Sequence, residues 1–287
     1  MESLDAWVAE HVTPSGPVEQ VRTYAWATVK RLPTADGLVW AKAVAEPWRN
    51  EVALTQRIAA RRPDLVPPLL AADAERGWLL MADAGEPLSE VCARDGSFDR
   101  WHAVLRDYAQ LQLDLTDDVA DLLAMGVPDR RLATLPSAYE QLVDALADNE
   151  KLRAMAPAVV ELCEELASFG LPELLQHDDL HDGQVYVRSG AHRVLDWGDA
   201  CISHPFFTLS VTLDGVLSWG FDDVQDSLDV TSYRDAYLAP FAERYDGDLV
   251  RASTVARRLG WVCRAVNGHV PGDDDKTVTR LGMFLGA

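Results

Sequence analysis

Near residue 85 the hydrophobic pattern of the chain changes period. Before that point, VEQVRTY (18–24), WATVKRL (26–32) and LVWAKAV (38–44) carry the β-favouring residues of strands, and Pro33 to Gly37 supplies a turn between the last two. Pro47 suits the opening turn of a helix in which Val52, Thr55, Ile58 and Ala59 share a face, and Pro63 stops it. After Pro67 and Pro68, the stretch LLAADAERGWLLMADAG reads as two further short strands around a turn at Glu75 to Gly77, ending at Gly85. Beyond it Trp101, Val104, Leu105, Tyr108 and Leu111 trace one helix face, with Ser97 or Asp99 as cap. More helices are expected at about 137–150, 157–169, 205–218, 230–245 and 250–267. An antiparallel sheet with one helix, followed by a mainly helical remainder, is an α+β chain of two parts, residues 1–84 and 85–287.

One segment breaks the helical half. QVYV and RVLD read as strands joined through Arg188 to His192, a Ser-Gly-containing hairpin turn. They lie inside HDDLHDGQVYVRSGAHRVLDWGD (177–199), so an acidic loop, a short hairpin and a second acidic turn follow one another directly. Magnesium takes carboxylate and amide oxygens and shares its octahedral shell with water and substrate phosphates, and Gln184 and Asp196 offer such a pair. Asp179, in the same loop as Gln184, is placed to accept or orient the hydroxyl proton of an acceptor in an in-line transfer.

The loop HDDLHDGQ and the turn LDWGDA resemble, without gaps, the catalytic loop (like HGDLHPGN) and metal-binding turn (like IDWEDA) of the aminoglycoside phosphotransferase and choline kinase family. The resemblance implies a bilobal protein-kinase-like fold with ATP between the lobes. It gives Asp179 the catalytic role, Gln184 and Asp196 the Mg2+ ligands, and His177 a structural role bracing the loop. It also implies that Lys42, in VWAKAV, binds the α- and β-phosphates with Glu51 as its ion-pair partner; helix placement favours Glu51 over Glu46. WLLMADAGEPL then looks like the hinge, with backbone groups around Met81, Ala82 and Asp83 bonding adenine. The likeness extends from about residue 17 to beyond 240.

Three departures stand out. Gln184 replaces the family's usual Asn, a change also found in maltokinase-like sugar kinases. Arg22-Thr23-Tyr24-Ala25, the turn between the first two strands, has no glycine to form a Gly-rich phosphate loop. Asp178 replaces a glycine and Asp182 a proline, which makes the catalytic loop unusually acidic.

Taken singly, these residues have plainer readings: Asp179 as a turn or helix cap, His177 and His181 as buried imidazoles, Asp199 as a loop brace. The nine tryptophans suit packing better than an aromatic cage for a quaternary amine. Four scattered cysteines without a CxxC pair suit reduced, buried thiols, and zinc is disfavoured at His177 and His181 for want of nearby thiolates.

At 287 residues, 25% charged and 48% hydrophobic, the chain is long enough to bury a large core and should fold. A formal net charge of −20 opposes nucleic acid and anionic membranes as partners and mildly favours a cationic substrate. Neither a signal peptide nor a membrane-spanning run is legible, so the expected address is cytoplasmic.

The expected activity is transfer of the γ-phosphoryl group of ATP, or of GTP in its place, to a hydroxyl of a small cationic or sugar-like molecule. An aminoglycoside or related amino alcohol leads, and Asp222, Asp223 and Asp235 are candidates to line its pocket. A sugar or amino-sugar kinase is the alternative. A catalytically silent nucleotide-binding regulatory protein is a reading of another class, suggested by the missing glycines and the altered amide, and the retention of Lys42, Asp179 and Asp196 argues against it.

Overall fold

The computed structural model describes residues 3–146 and 150–286. The chain divides into two units, residues 1–91 with 182–198, and residues 92–181 with 199–287.

In the first unit, helix α1 (Leu4–His11) precedes strands β1 (Glu19–Thr23), β2 (Ala27–Thr34) and β3 (Gly37–Val44). Helix α2 (Asn50–Arg61) and strands β4 (Leu69–Asp73) and β5 (Trp78–Ala82) complete an antiparallel sheet of order β1-β2-β3-β5-β4. Side chains alternate between the faces of a strand, and β3 uses the alternation fully. Val39 and Ala41 pack with Leu80 and with Trp7 and Val8 of α1. Trp40 and Lys42 face a cleft on the other side. Helix α1 was not expected from the sequence; Ser3 caps it by accepting the Ala6 N–H at 3.2 Å. Helix α2 begins at Asn50, so Pro47 lies ahead of it and not in its first turn.

The hairpin is tighter than expected. Val185–Arg188 pairs with Ala191–Val194, leaving only Ser189 and Gly190 in the turn, both at positive φ as a two-residue type I′ turn requires. Glu86–Pro87 adds a short edge strand to this hairpin.

In the second unit the helices are α3 (Leu88–Asp95), which starts in the first unit, α4 (Arg100–Asp114), α5 (Val119–Ala124), α6 (Leu135–Ala145), α7 (Glu150–Ala154) and α8 (Ala156–Ser168). They continue with α9 (Thr231–Ala242), α10 (Leu249–Asn267) and α11 (Asp274–Gly286). The helix expected at 137–150 ends at Ala145, and residues 147–149 of that expectation lie outside the described residues. The acidic stretch GDDDK at 272–276 reads from its sequence as a solvated loop, but its Asp274 and Asp275 open α11, where they suit the positive end of the helix dipole.

The helix expected at 205–218 is absent as one element. Pro205–Phe207 and Leu217–Trp219 are 3₁₀ turns, and Ser210–Asp214 is one π-helical turn closed by Gly215 N–H to Ser210 O at 3.0 Å. Tertiary bonds explain the break: Ser210 Oγ donates to Arg257 O and Thr212 Oγ1 to Leu180 O, both at 2.7 Å. This segment packs on α10 at Gly260, where any Cβ would run into Ser210 Oγ and the Phe207 backbone. All four cysteines are buried, and none of them forms a disulfide among the described residues. Among the described residues no helix is long and apolar enough to cross a membrane.

Candidate active site

The first unit holds a cleft of about 200 Å³ between the β2–β3–β5 face and the hairpin. Lys42 of β3 lies at its wall, with Nζ at 2.6 and 2.8 Å from the two oxygens of Glu51 and 2.8 Å from Asp196 Oδ1. Glu51 comes from the first turn of α2 and is 3% exposed; Glu46 pairs with Arg49 instead. Burial alone would lower the lysine pKa, but the charges of Glu51 and Asp196 outweigh it and hold the ammonium firmly protonated. Asp196 is half exposed and adopts a positive φ of 63°, which turns its carboxylate back toward Lys42 at the end of the hairpin.

Gln184 completes this group, its Nε2 lying 3.3 Å from Asp196 Oδ2. Rotating the amide by half a turn presents Oε1 there instead, so the cleft wall can offer one amide and one carboxylate oxygen. Two hard donors beside an open cleft fit magnesium, which fills its remaining positions with phosphate oxygens and water.

Met81, Ala82 and Asp83 also line the cleft. The Ala82 N–H donates to Pro68 O at 2.9 Å and the Asp83 N–H to Leu38 O at 3.2 Å, so both are already engaged. Asp83 accepts from Trp40 Nε1 at 2.8 Å and from Arg188 Nη1 at 3.2 Å. Among the described residues, no hydrogen bond engages the N–H of Ala84, the next residue along the cleft. The glycine-free turn is roofed by aromatic rings: Tyr24 stacks on Trp26 at 5.0 Å and 7°, and Trp48 follows at 6.0 Å from Trp26.

The second unit carries the loop of Asp179. Tyr108 of α4 anchors it by accepting the His177 N–H at 2.7 Å, and His177 Nδ1 accepts the Asp179 N–H at 3.3 Å. His181 Nε2 stands 4.0 Å from Asp179 Oδ2. Asp178 is 1% exposed at φ +65°, a left-handed conformation that glycine fills most easily. Gln176 Nε2 and Asn267 Nδ2 donate to its two oxygens at 3.1 and 3.0 Å.

Arg264 of α10 reaches Asp179 Oδ2 at 2.9 Å, Asp199 Oδ2 at 3.0 Å and Asp178 Oδ2 at 3.4 Å. Arg264 and Asn267 were missed because they belong to no motif. The signal was an arginine inside the apolar run Trp261-Val262-Cys263-Arg264-Ala265-Val266, where an unpaired charge would be prohibitively desolvated. Asp222 and Asp223 are exposed in a turn, and Asp235, also exposed, is bonded by Arg234 at 2.7 Å.

A five-stranded antiparallel sheet with a partly buried Lys–Glu pair, followed by a helical unit with an acidic loop, is the fold of protein-kinase-like small-molecule phosphotransferases. The chain belongs to the phosphotransferase enzyme family (APH), whose model matches residues 29–252. It is similar to the ethanolamine kinase Pv091845 of Plasmodium vivax, at 11% identity and a TM-score of 0.69 over 98% of this chain and 84% of that one. It is similar to APH(2")-IIia in its complex with GDP and kanamycin, at 14% identity and a TM-score of 0.63 over 96% of this chain and 94% of that one. A putative fructosamine-3-kinase from Thermobifida fusca shares 17% identity, with a TM-score of 0.60 over 98% of both chains. At these identities the likenesses establish the fold. No curated protein is a significant match to the chain.

Proposed function

We propose that this enzyme transfers the γ-phosphoryl group of ATP to a hydroxyl of an aminoglycoside or related amino alcohol. The observation that carries the reading is the Lys42 ammonium held between Glu51 and Asp196 at the cleft wall, with Gln184 on the other oxygen of Asp196.

In this reading residues 1–84 bind the nucleotide and residues 85–287 carry the catalytic loop and the acceptor pocket. Lys42 binds the α- and β-phosphates and Glu51 keeps it in place. The backbone from Met81 to Asp83, extended to the unengaged N–H of Ala84, receives adenine. Gln184 Oε1 and the Asp196 carboxylate hold magnesium, which supplies neutralisation of the phosphate charge. Asp179 Oδ1 accepts the hydrogen bond of the acceptor hydroxyl and takes its proton as the new O–P bond forms and the β–γ bridge bond breaks, releasing ADP. Positioning and charge neutralisation, without a phospho-enzyme, do the chemical work.

Support for an amine-bearing acceptor comes from the formal charge of −20 and the exposed Asp222, Asp223 and Asp235. A sugar or amino-sugar acceptor is the second reading, favoured by Gln184 in place of asparagine. An ATP- and magnesium-dependent reaction fits a cytoplasmic address.

The test is magnesium-dependent ADP or GDP release with ATP or GTP against kanamycin, ethanolamine, choline, a fructosamine, amino sugars and neutral sugars. Stimulation by the amine-bearing alcohols, lost in Asp179→Ala, is the expected result. Stimulation by neutral sugars alone replaces the acceptor class, and tight nucleotide binding with no release under any condition favours the silent regulatory reading.

A further inference from the structure

The catalytic loop of this chain carries a carboxylate, Asp178, where the family resemblance leads one to expect glycine. That side chain is buried and sits at positive φ, so both its charge and its Cβ work against the position. Burial pushes the Asp178 carboxyl up to about 6, despite the opposing pull of Arg264 and of the amides of Asn267 and Gln176. A guanidinium that is itself 95% out of solvent then meets three carboxylates at once, those of Asp178, Asp179 and Asp199.

The plain explanation is that Arg264 exists to neutralise Asp178. The distances speak against it. Arg264 makes its two shortest contacts to Asp179, at 2.9 Å, and Asp199, at 3.0 Å, while its contact to Asp178 is the longest at 3.4 Å. Asp178 also has two amide donors of its own. The guanidinium is planar, and its nitrogens point in fixed, diverging directions. Nη1 is spent on Asp199 and Asp178, so Nη2 has only one direction in which to reach Asp179.

We propose that Arg264 is a positioning residue for phosphoryl transfer: it pins Asp179 through Oδ2, so that Oδ1 is left at a fixed angle for the acceptor hydroxyl. The proposal rests on the reading of Asp179 as the group that meets the acceptor. Asp199 and Asn267 complete the mount. Asn267 Nδ2 donates to Asp199 O at 2.6 Å as well as to Asp178, which ties the end of α10 to both acidic turns. Arg280 of α11 also faces this group; its Nη1 donates to Gly268 O at 2.9 Å, and the field of Arg264 adds to burial in lowering its pKa. Gly268 has no Cβ for a reason of the same kind, because one would lie 2.6 Å from Nη1 of both arginines.

A double variant separates positioning from neutralisation. Asp178→Gly removes the buried charge and suits the backbone, so Arg264→Gln can be examined in that background without leaving Asp178 unpaired. The full chain is assayed for melting temperature, KM for ATP, and ADP release from Mg-ATP with water alone and with kanamycin, ethanolamine and a fructosamine. If Arg264 positions Asp179, D178G/R264Q melts within a few degrees of D178G and keeps its KM for ATP, while ADP release falls about 100-fold, the scale expected of a misplaced reacting group. ADP release at the D178G rate overturns the proposal.

Arg264→Lys keeps the charge but not the fork, and serves if the double variant does not fold. A loss of about 10-fold or more in kcat with KM for ATP unchanged is expected, and an undiminished kcat contradicts the proposal. Crystal structures give an acceptor-independent readout: the Asp179 carboxylate should rotate in either variant, and an unmoved carboxylate counts against the mount. Asp179→Ala tells the two ideas apart. Undiminished ADP release in Asp179→Ala removes the reading of Asp179 and the proposal with it; an inert Asp179→Ala beside an active D178G/R264Q removes only the proposal.

Discussion

His204 is completely enclosed, and its Nδ1 accepts the Phe206 N–H at 3.3 Å. Burial lowers its pKa to about 3. The unfolded chain therefore takes up a proton near pH 6.5 that the folded chain refuses, and stability falls as pH drops from about 6.5 toward about 3. His204→Asn keeps an acceptor for the Phe206 N–H but does not titrate, so its urea unfolding free energy should fall less between pH 7 and pH 4.5 than that of the parent protein. Asp178 has the opposite sign. Its carboxyl pKa is raised from 3.8 to about 6, so the contribution is present below 3.8 and lost as pH rises through about 6. Asp178→Asn tolerates the left-handed backbone and should be more stable than the parent at pH 7.5, by up to about 3 kcal/mol, with the gain vanishing near pH 4. Equal stability of the two proteins at pH 7.5 would mean that Arg264 fully offsets the burial of Asp178.

At the scale of elements, β3, α2 and α4 were legible because each has one apolar face with a clear period. The parity of β3 put Lys42 opposite the face that packs on α1, and the segment 177–199 announced its hairpin through alternation and a Ser-Gly turn. What escaped notice was decided by contacts distant in sequence. The stretch 205–218 has helical composition, yet the tertiary bonds of Ser210 and Thr212 and the close approach of Gly260 break it into short turns. Acidic residues at 272–276 look like a loop until they are recognised as the first turn of α11. Gly85 links element to site. It sits at φ +99°, and a Cβ there would run into the carbonyl oxygen of Val187 on the hairpin. Gly85→Ala should cost at least about 1 kcal/mol in backbone strain alone, and should weaken ATP binding by shifting the hairpin that carries Gln184 and Asp196. Calorimetric ATP affinity and melting temperature check both parts; an unchanged affinity would detach the hairpin from the nucleotide site.

For the whole molecule, the candidate site was partly legible. Lys42, Asp179, Gln184 and Asp196 stand in short ordered motifs whose residue types fit phosphate and magnesium chemistry. Glu51 required only helix placement. Arg264, Asn267 and Tyr108 carry no motif; apart from the charge of Arg264 inside an apolar run, only the packing of α10 and α4 against the loop brings them in, and no local pattern encodes that packing. The acceptor is illegible for a related reason, since exposed acids such as Asp222 and Asp223 serve solubility as well as recognition. The names of its structural neighbours differ in the same way, from an ethanolamine kinase to an aminoglycoside 2'-phosphotransferase and a putative fructosamine-3-kinase, so the fold does not choose among acceptors.

The measurement that bears most directly on the central claim compares ATP binding, with and without magnesium, and ADP release in the parent protein, Asp179→Ala and Asp196→Ala. The account predicts that Asp179→Ala binds Mg-ATP like the parent but releases ADP at least about 100-fold more slowly, and that Asp196→Ala loses the magnesium-dependent part of the affinity. Turnover by Asp179→Ala at the parent rate, or magnesium-dependent binding undiminished in Asp196→Ala, would contradict it.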